Sequence, residues 1–429
     1  VEQGILEWNK AFERIGFRDD LSFTGFEAMG EHVFKGGFSF ARSTYDIDKR
    51  NDFVPQFRYA AVQNTGNGNQ NYNYQVPFEL RFGSGDPFLS HAFLDLLETS
   101  HSVGDESGWT ALPVMVERSG SIVAAAPAYL KAHSQGEYVF DHGWAEAWER
   151  SGRAYYPKLQ VAVPFTPVPG RRLLGDRAAI LAAIEAVTVQ NKLSSAHITF
   201  CDAGDLEAAL KRGWLRRDGI QFHWFNRGYA KFDDFLAALS SRKRKAIRKE
   251  RAAACEGLNF VTLTGAQIEP RHMAAMWDFY QDTGSRKWGQ PYLTRDWFDR
   301  IVTTMGDAVV LMLALRDGQP IAGALNFVGG DALYGRYWGA SEEVPFLHFE
   351  LSYYRAIDFA IARGLGSVQA GAQGEHKLAR GYEPVVTTSL HFIPDPGFRR
   401  AVADFVTRER EAIASEVEWA RAALPYRKD

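Results

Sequence analysis

Late in the chain stands GAQGEHKLARGY, residues 371–382. Glu375, His376 and Lys377 set a carboxylate, an imidazole and an ammonium side by side, with Arg380 and Tyr382 just beyond. A carboxylate or an imidazole can take a proton from an amine. The cations can hold an anion, and the phenol can protonate a leaving group. A second set lies in YGRYWGASEEVPFLHFELSYY, residues 334–354. There Arg336 and Trp338 sit on a strand pattern, and His348 and Glu350 on a helix pattern that starts near Phe346. A third lies in HSQGEYVFDHGWAEAWE, residues 133–149, where Asp141 and His142 stand among Tyr138, Phe140 and Trp144. A carboxylate against aromatic walls can carry a shifted pKa; a loop anchored by a buried Trp would look the same. The fourth is SRKRKAIRKER, residues 241–251, with seven basic residues and one Glu. On a helix, Arg242, Lys243, Arg244, Lys245 and Arg248 would form either a solvated face or a seat for phosphates of a nucleic acid, a cofactor or a lipid-linked substrate.

Other chemistries lack their signatures. There is no phosphate loop, no dinucleotide fingerprint and no Gly-x-Ser-x-Gly elbow. Histidine and cysteine show no metal-ligand spacing, so no metal and no tightly bound cofactor are expected.

The elements that must position these residues follow from periodicity. Residues 1–82 differ from the rest: an amphipathic helix pattern, then aromatic-rich strand patterns. In YNYQVPFELRF, Tyr72, Tyr74, Val76, Phe78, Leu80 and Phe82 alternate with polar residues or proline, which predicts a strand with one apolar face. The remainder mixes helices and strands and does so twice, over 83–225 and 226–429, which predicts two units of like element order. FDDFLAALSSRKRKAIRKERAAA reads as one long helix, and HFELSYYRAIDFAIARGL as another. AVVLMLALRDGQPIAGALNFVGGDALYGRYWGA reads as a three-stranded meander. The loop 371–382 follows a helix and a short strand, so it leaves the carboxyl end of that strand, where α/β sheets build their sites. The fold class expected is α+β, mixed α/β.

The 429 residues, 46% hydrophobic and 24% charged, suit a soluble chain of two or three domains. A net charge of -3 gives no global pull toward nucleic acid or membrane, so any electrostatic role is local. Two distant cysteines, Cys201 and Cys255, argue against a disulfide framework and for a reducing, cytoplasmic setting. No apolar run nears the roughly 20 residues of a membrane span.

The stretches QFHWFNRGYAKFDDFLAALSSRKRKAIRKE, LYGRYWGASEEVPFLHFELSYYRAIDFAIARGL, GAQGEHKLARGY, GDPFLSHAFLDLLE, GEYVFDHGWAEAWE and YYPKLQVAVPFTPV, in this order-rich set from about 85 to about 410, resemble the bacterial FemAB-like family of predicted N-acyltransferases in the GNAT superfamily. The resemblance implies two tandem GNAT-like domains. It implies transfer of an acyl or aminoacyl group to an amine, such as that of a peptidoglycan precursor peptide, with aminoacyl-tRNA or acyl-CoA as co-substrate. Glu375 or His376 would then be the base and Tyr382 a proton donor. Lys377, Arg380 and Arg336 would hold donor phosphates or a substrate carboxylate. Trp338, His348, Glu350, Asp141 and His142 would line the substrate groove. The superfamily's pyrophosphate-wrapping turn has no clean copy here, which favours aminoacyl-tRNA, with 241–251 facing the RNA. An acyl-CoA-dependent N-acetyltransferase and a non-catalytic cell-wall peptide recognition protein are the other readings. Residues 1–82 depart from the family pattern. Their first twenty resemble a segment of bacterial zinc metalloproteases, and 31–82 resemble outer-membrane receptor strands, as a fused or foreign extension would.

Overall fold

A computed structural model describes residues 86–287, 291–371 and 374–427, with strand segments at 26–27, 31–32, 56–62 and 71–81. The expected first helix, residues 1–17, lies outside the described residues. Gln56–Val62 and Asn71–Arg81 pair antiparallel, so the alternating run is a strand as far as Arg81.

The fold is mixed α+β around one sheet of eleven strands. Numbered along the chain, these are β1 (Trp109–Ala111), β2 (Ala128–Lys131), β3 (Lys158–Val161), β4 (Ala196–Ile198), β5 (Leu215–Phe225), β6 (Asn259–Thr264), β7 (Val309–Arg316), β8 (Gln319–Gly329), β9 (Ala332–Ala340), β10 (Ser367–Gln369) and β11 (Glu383–Phe392). Across the sheet the order is β6-β7-β8-β9-β10-β5-β11-β4-β3-β2-β1. Each half is laid down in sequence, and then the last strands trade places. β5, which closes the first half, lies between β10 and β11; β11, which closes the second, lies between β5 and β4. The halves match in strand direction as well: β3 and β4 are parallel, and so are β9 and β10. This is the doubled element order seen in the sequence, with an exchange that fastens the halves into one sheet.

Prolines decide where strands leave the sheet. IVAAAPAYLKA reads as one strand, yet it is two: Ser121–Ala126 pairs in a separate three-stranded sheet, and β2 joins the large one. Pro127 sits at the break and has no N–H for either ladder. Pro113 separates β1 from Val114–Arg118 in the same way.

Helices cover both faces. On one, Pro270–Lys287 and Arg295–Met305 pack with His91–Thr99, so that Phe88 and Phe93 of the first half meet Phe327 and Trp297 of the second. Gly339 of β9 fits there because a Cβ would collide with the Phe279 carbonyl oxygen. On the other face lie the basic helix and the helices around 347–362.

The long helix expected over 232–254 is in fact two, Phe232–Ala238 and Ser241–Cys255. Leu239 and Ser240 are extended between them because the C-terminal tail binds there: Leu239 bridges Tyr426, and Ser240 N–H donates to the Pro425 carbonyl at 2.9 Å. The helix expected from 348 is also broken. A short α-turn, Leu347–Phe349, passes into a π-turn, Glu350–Tyr354, before regular helix resumes at Arg355–Ala362. No helix among the described residues is long and apolar enough to cross a membrane.

Candidate functional site

β9 and β10 pair from Ala332↔Ser367 to Tyr334↔Gln369 and no further. A register shift between Leu325 and Asn326 in β8 leaves Arg336 unmatched on β9, as in a β-bulge that re-aims a strand. β10 ends at Gln369 while β9 continues to Ala340. The two parallel strands therefore fork at their carboxyl ends, and the loop 371–382 leaves from that fork. In the first half, Cys201, past the carboxyl end of β4, is instead bridged by Gly170 from the loop beyond β3.

The loop coils into a 3-10 turn, Glu375–Arg380. Gly374 (φ 115°) and Gly381 (φ 84°) bound it in conformations that favour glycine. Lys377 Nζ donates to the Gly371 carbonyl at 2.8 Å and joins the two ends of the loop. Arg380 donates to the His376 carbonyl at 2.8 Å, to Tyr354 Oη at 3.0 Å and to Glu250 at 2.9 Å, with its guanidinium 3.4 Å from the Phe349 ring centre. Tyr426 donates to the Gly381 carbonyl at 2.7 Å.

Held this way, the loop presents His376. Its ring is exposed, and Nε2 lies 2.8 Å from Tyr353 Oη. Burial holds the Tyr353 phenol well above its usual range, so it stays neutral. Either partner can donate in this hydrogen bond: where the phenol oxygen accepts from Nε2–H the imidazole lone pair lies on Nδ1, and where the phenol donates, Nε2 is the acceptor. The π-turn supplies Tyr353: its extra residue turns Tyr353 to His376 while Tyr354 faces Glu250 and Arg380. Phe349 and His348 complete the surround, with ring centres 5.5 and 6.1 Å from that of His376. On the far side of His348, 5.1 Å away, stands Trp338. Both border a cleft of about 510 Å³ that runs to Phe346 and Glu343.

Several expected site residues stand elsewhere. Lys377 is 1% exposed and Arg380 7% exposed, and both are committed inward, so neither is an open seat for donor phosphates. Arg336 donates to the Phe165 carbonyl and fastens the two halves. Glu350 is buried in ion pairs with Arg251 and Arg355 rather than facing the groove. Tyr382 is fully buried, its hydroxyl without a hydrogen-bond partner and its pKa driven well up by burial; a proton donor to a leaving group has to reach one. Asp141 and His142 do not act together: His142 is exposed and stacks on Phe140, while Asp141 is buried against Lys158. That pair sits at the amino end of β3, away from the carboxyl ends where sites form. The Glu375 side chain lies outside the described residues. Among the described residues no group of His, Cys, Asp and Glu could hold a metal. Cys201 and Cys255 are free.

The basic helix, Ser241–Cys255, meets this loop directly. Glu250 binds Arg380, and Arg251 binds Glu350 and Asp358. Arg242, Lys245 and Arg248 are exposed on its outer side, Arg248 paired with Asp233, while Lys243 and Arg244 are half-buried.

The family FemAB_like, described as peptidoglycan biosynthesis/recognition, matches residues 73–428. The chain belongs to this family. The match reaches from the second strand of the N-terminal hairpin nearly to the C-terminus, so the family core includes the forked second half and the exchanged strands. No curated protein matches the sequence. Among solved structures, FemX is 12% identical, with a TM-score of 0.47 over 75% of this chain and 95% of that one. L-PGS from Bacillus licheniformis is 10% identical, with a TM-score of 0.45 over 76% and 97%. A tandem GNAT protein from the clavulanic acid biosynthesis pathway is 14% identical, with a TM-score of 0.38 over 67% and 84%. No residue role is carried over from them.

Lys377 also yields a prediction. Burial lowers its pKa to about 7 from 10.5. Between those values the unfolded chain keeps a proton that the folded one has shed, so this group makes stability rise with pH across that window. Lys377→Met is expected to flatten the rise, measured as urea midpoints at pH 7 and pH 10. An unchanged slope would mean that the ammonium is not desolvated.

Proposed function

We propose that this FemAB-family chain is an N-acyltransferase: it moves an acyl or aminoacyl group to the amine of a peptidoglycan-related acceptor, and His376 takes the amine's proton. The observation that supports this is the exposed imidazole at the mouth of the fork, positioned by its 2.8 Å hydrogen bond with Tyr353. The acceptor nitrogen bonds to the donor's carbonyl carbon, and the carbonyl's bond to the leaving oxygen or sulfur breaks. The proton lost by the amine passes to His376 and then to the leaving group. No covalent enzyme intermediate is required. Most of the rate comes from orientation, which the fork and the rigid turn provide.

The donor we propose is aminoacyl-tRNA. The Glu250–Arg380 ion pair sets the basic helix against the catalytic loop, so a polyanion lying along that helix ends beside His376. Binding of aminoacyl-tRNA is then expected to fall steeply with salt. Arg242→Gln and Lys245→Gln should each weaken it and reduce the log–log salt slope by about 1. Filter binding at several salt concentrations measures this, alongside transfer assays with aminoacyl-tRNA and with acyl-CoA. Salt-insensitive binding with acyl-CoA turnover replaces the donor. Binding of muropeptide with no turnover of either donor replaces the enzyme by a recognition module.

A further inference from the structure

The helix Arg177–Gln190 ends on a residue its geometry does not favour. Lys192 N–H donates to the Val189 carbonyl at 3.1 Å, and Leu193 N–H to the Thr188 carbonyl at 3.0 Å. A helix end of this kind puts the residue after the cap in the left-handed region, where glycine is the usual occupant. Lys192 holds that position at φ 53°. What lysine brings there is an ammonium, and it borders a cleft of about 310 Å³. Trp148, Val189 and Pro394 form the apolar wall of this cleft, with Val189 55% exposed to it and to solvent. Arg153 lies over the Trp148 ring, 4.6 Å from its centre, and pairs with Asp395 at 2.9 Å. Asp395 in turn caps the C-terminal helix, accepting from Phe398 N–H at 2.8 Å. Among the described residues that line the cleft, Asp395 is the only carboxylate. Arg153 offsets it, so the Lys192 ammonium sets the sign of the field.

We propose that this cleft binds a small amphipathic monoanion, a carboxylate on a short apolar body. The carboxylate meets Lys192 and the edge of Arg153, and the apolar body lies along Val189, Pro394 and Trp148. A cation meets the ammonium instead. A phosphate finds a single net positive charge and leaves the apolar wall uncovered. An apolar wall with a few convergent polar groups is the usual make-up of a small-molecule site. The site is separate from the transfer chemistry. The loop that carries His376 leads into β11 and this cleft follows it, so the strand's 10 residues lie between them. The cleft also joins the two halves, since Trp148 and Lys192 belong to the first and Pro394 and Asp395 follow the last strand of the second. An occupant therefore ties the start of the C-terminal helix to the first half.

Calorimetric titration of the whole chain with hexanoate, butanoate, hexylamine and inorganic phosphate tests this. Hexanoate is expected to give saturable heat, and hexylamine and phosphate are not. Butanoate, two methylenes shorter, is expected to bind about fourfold more weakly, as methylenes half-buried on the wall require. Lys192→Gln and Val189→Asn are each expected to weaken hexanoate at least about fivefold. Both residues are exposed, so the melting temperature should hold in both variants. Lys192→Gly separates binding from folding. Glycine suits the left-handed position, so the melting temperature should not fall, while hexanoate should bind as weakly as it does to Lys192→Gln. Equal hexanoate affinity in wild type and all three variants overturns the assignment. So does the absence of saturable heat with hexanoate, or hexylamine binding as tightly.

Discussion

Replacing His376 with alanine is expected to lower kcat for acyl transfer by about 10²- to 10⁴-fold, the usual share of a positioned base, with little change in folding. The ring is exposed, so its removal opens no cavity. The Tyr353 hydroxyl loses its imidazole partner, at a cost of about 1 kcal/mol. Tyr353→Phe separates base from positioning group: the imidazole remains but loses the hydrogen bond that orients it, and a smaller loss, about tenfold, is expected. Glu375→Gln shows whether the neighbouring carboxylate shares the work. Single-turnover rates with a donor–amine pair measure all three. A His376→Ala enzyme within threefold of wild type would sink the assignment, and a full loss in Glu375→Gln alone would transfer the role to that carboxylate.

The sequence displayed the parts of this site better than their directions. Glu375 and His376 were legible as candidates because a glycine-bounded charged loop after a strand is a familiar place for chemistry. Tyr353 was not, because it lay in a stretch that reads as uninterrupted helix; only the π-turn separates it from Tyr354. Lys377, Arg380 and Arg336 read as open cations because charge usually faces water. Each instead meets backbone carbonyls or a carboxylate brought from far along the chain, as Glu250 is brought to Arg380 across 130 positions. Strand existence followed from periodicity, and the doubled order of elements followed with it. The exchange of β5 and β11 could not, since a period of two reports which face is buried and not which strand lies alongside. The basic helix was visible as a charged run. Its break at Leu239 was not, because the cause is the C-terminal tail some 185 residues away.

Lys158→Met is expected to be the most damaging single change to the fold. Lys158 Nζ lies 2.8 Å from Glu137 and 2.6 Å from Asp141, and all three side chains are at most 2% exposed. Ser134 and Tyr155 also bind Asp141, Tyr155 at 2.6 Å, and beside them His197 and His391 meet across the β4–β11 seam. The network therefore sits where one half's strand joins the other's. Methionine matches lysine in length but leaves two buried carboxyl groups without their ammonium, a loss of about 3–5 kcal/mol, or a Tm lower by roughly 3–7 °C for a chain of this size. Adding Glu137→Gln and Asp141→Asn to Lys158→Met should restore much of it, because the uncompensated charge rather than the missing pair carries the cost. The Asp141 contribution to the pH dependence should change sign. Burial by itself would raise the Asp141 carboxyl, but Lys158 and His197, with hydrogen bonds from Lys158 and Ser134, hold it well below 3.8. A depressed carboxylate contributes stability above its unfolded value and loses it as the pH falls further. Without Lys158, burial dominates and the Asp141 carboxyl rises above 3.8, so its contribution changes sign and grows on acidification, joining that of Glu137, which burial raises to about 7 already in the wild type. Parallel urea melts across the acid range that shift the same way for both proteins would show that the ion pair does not govern this seam.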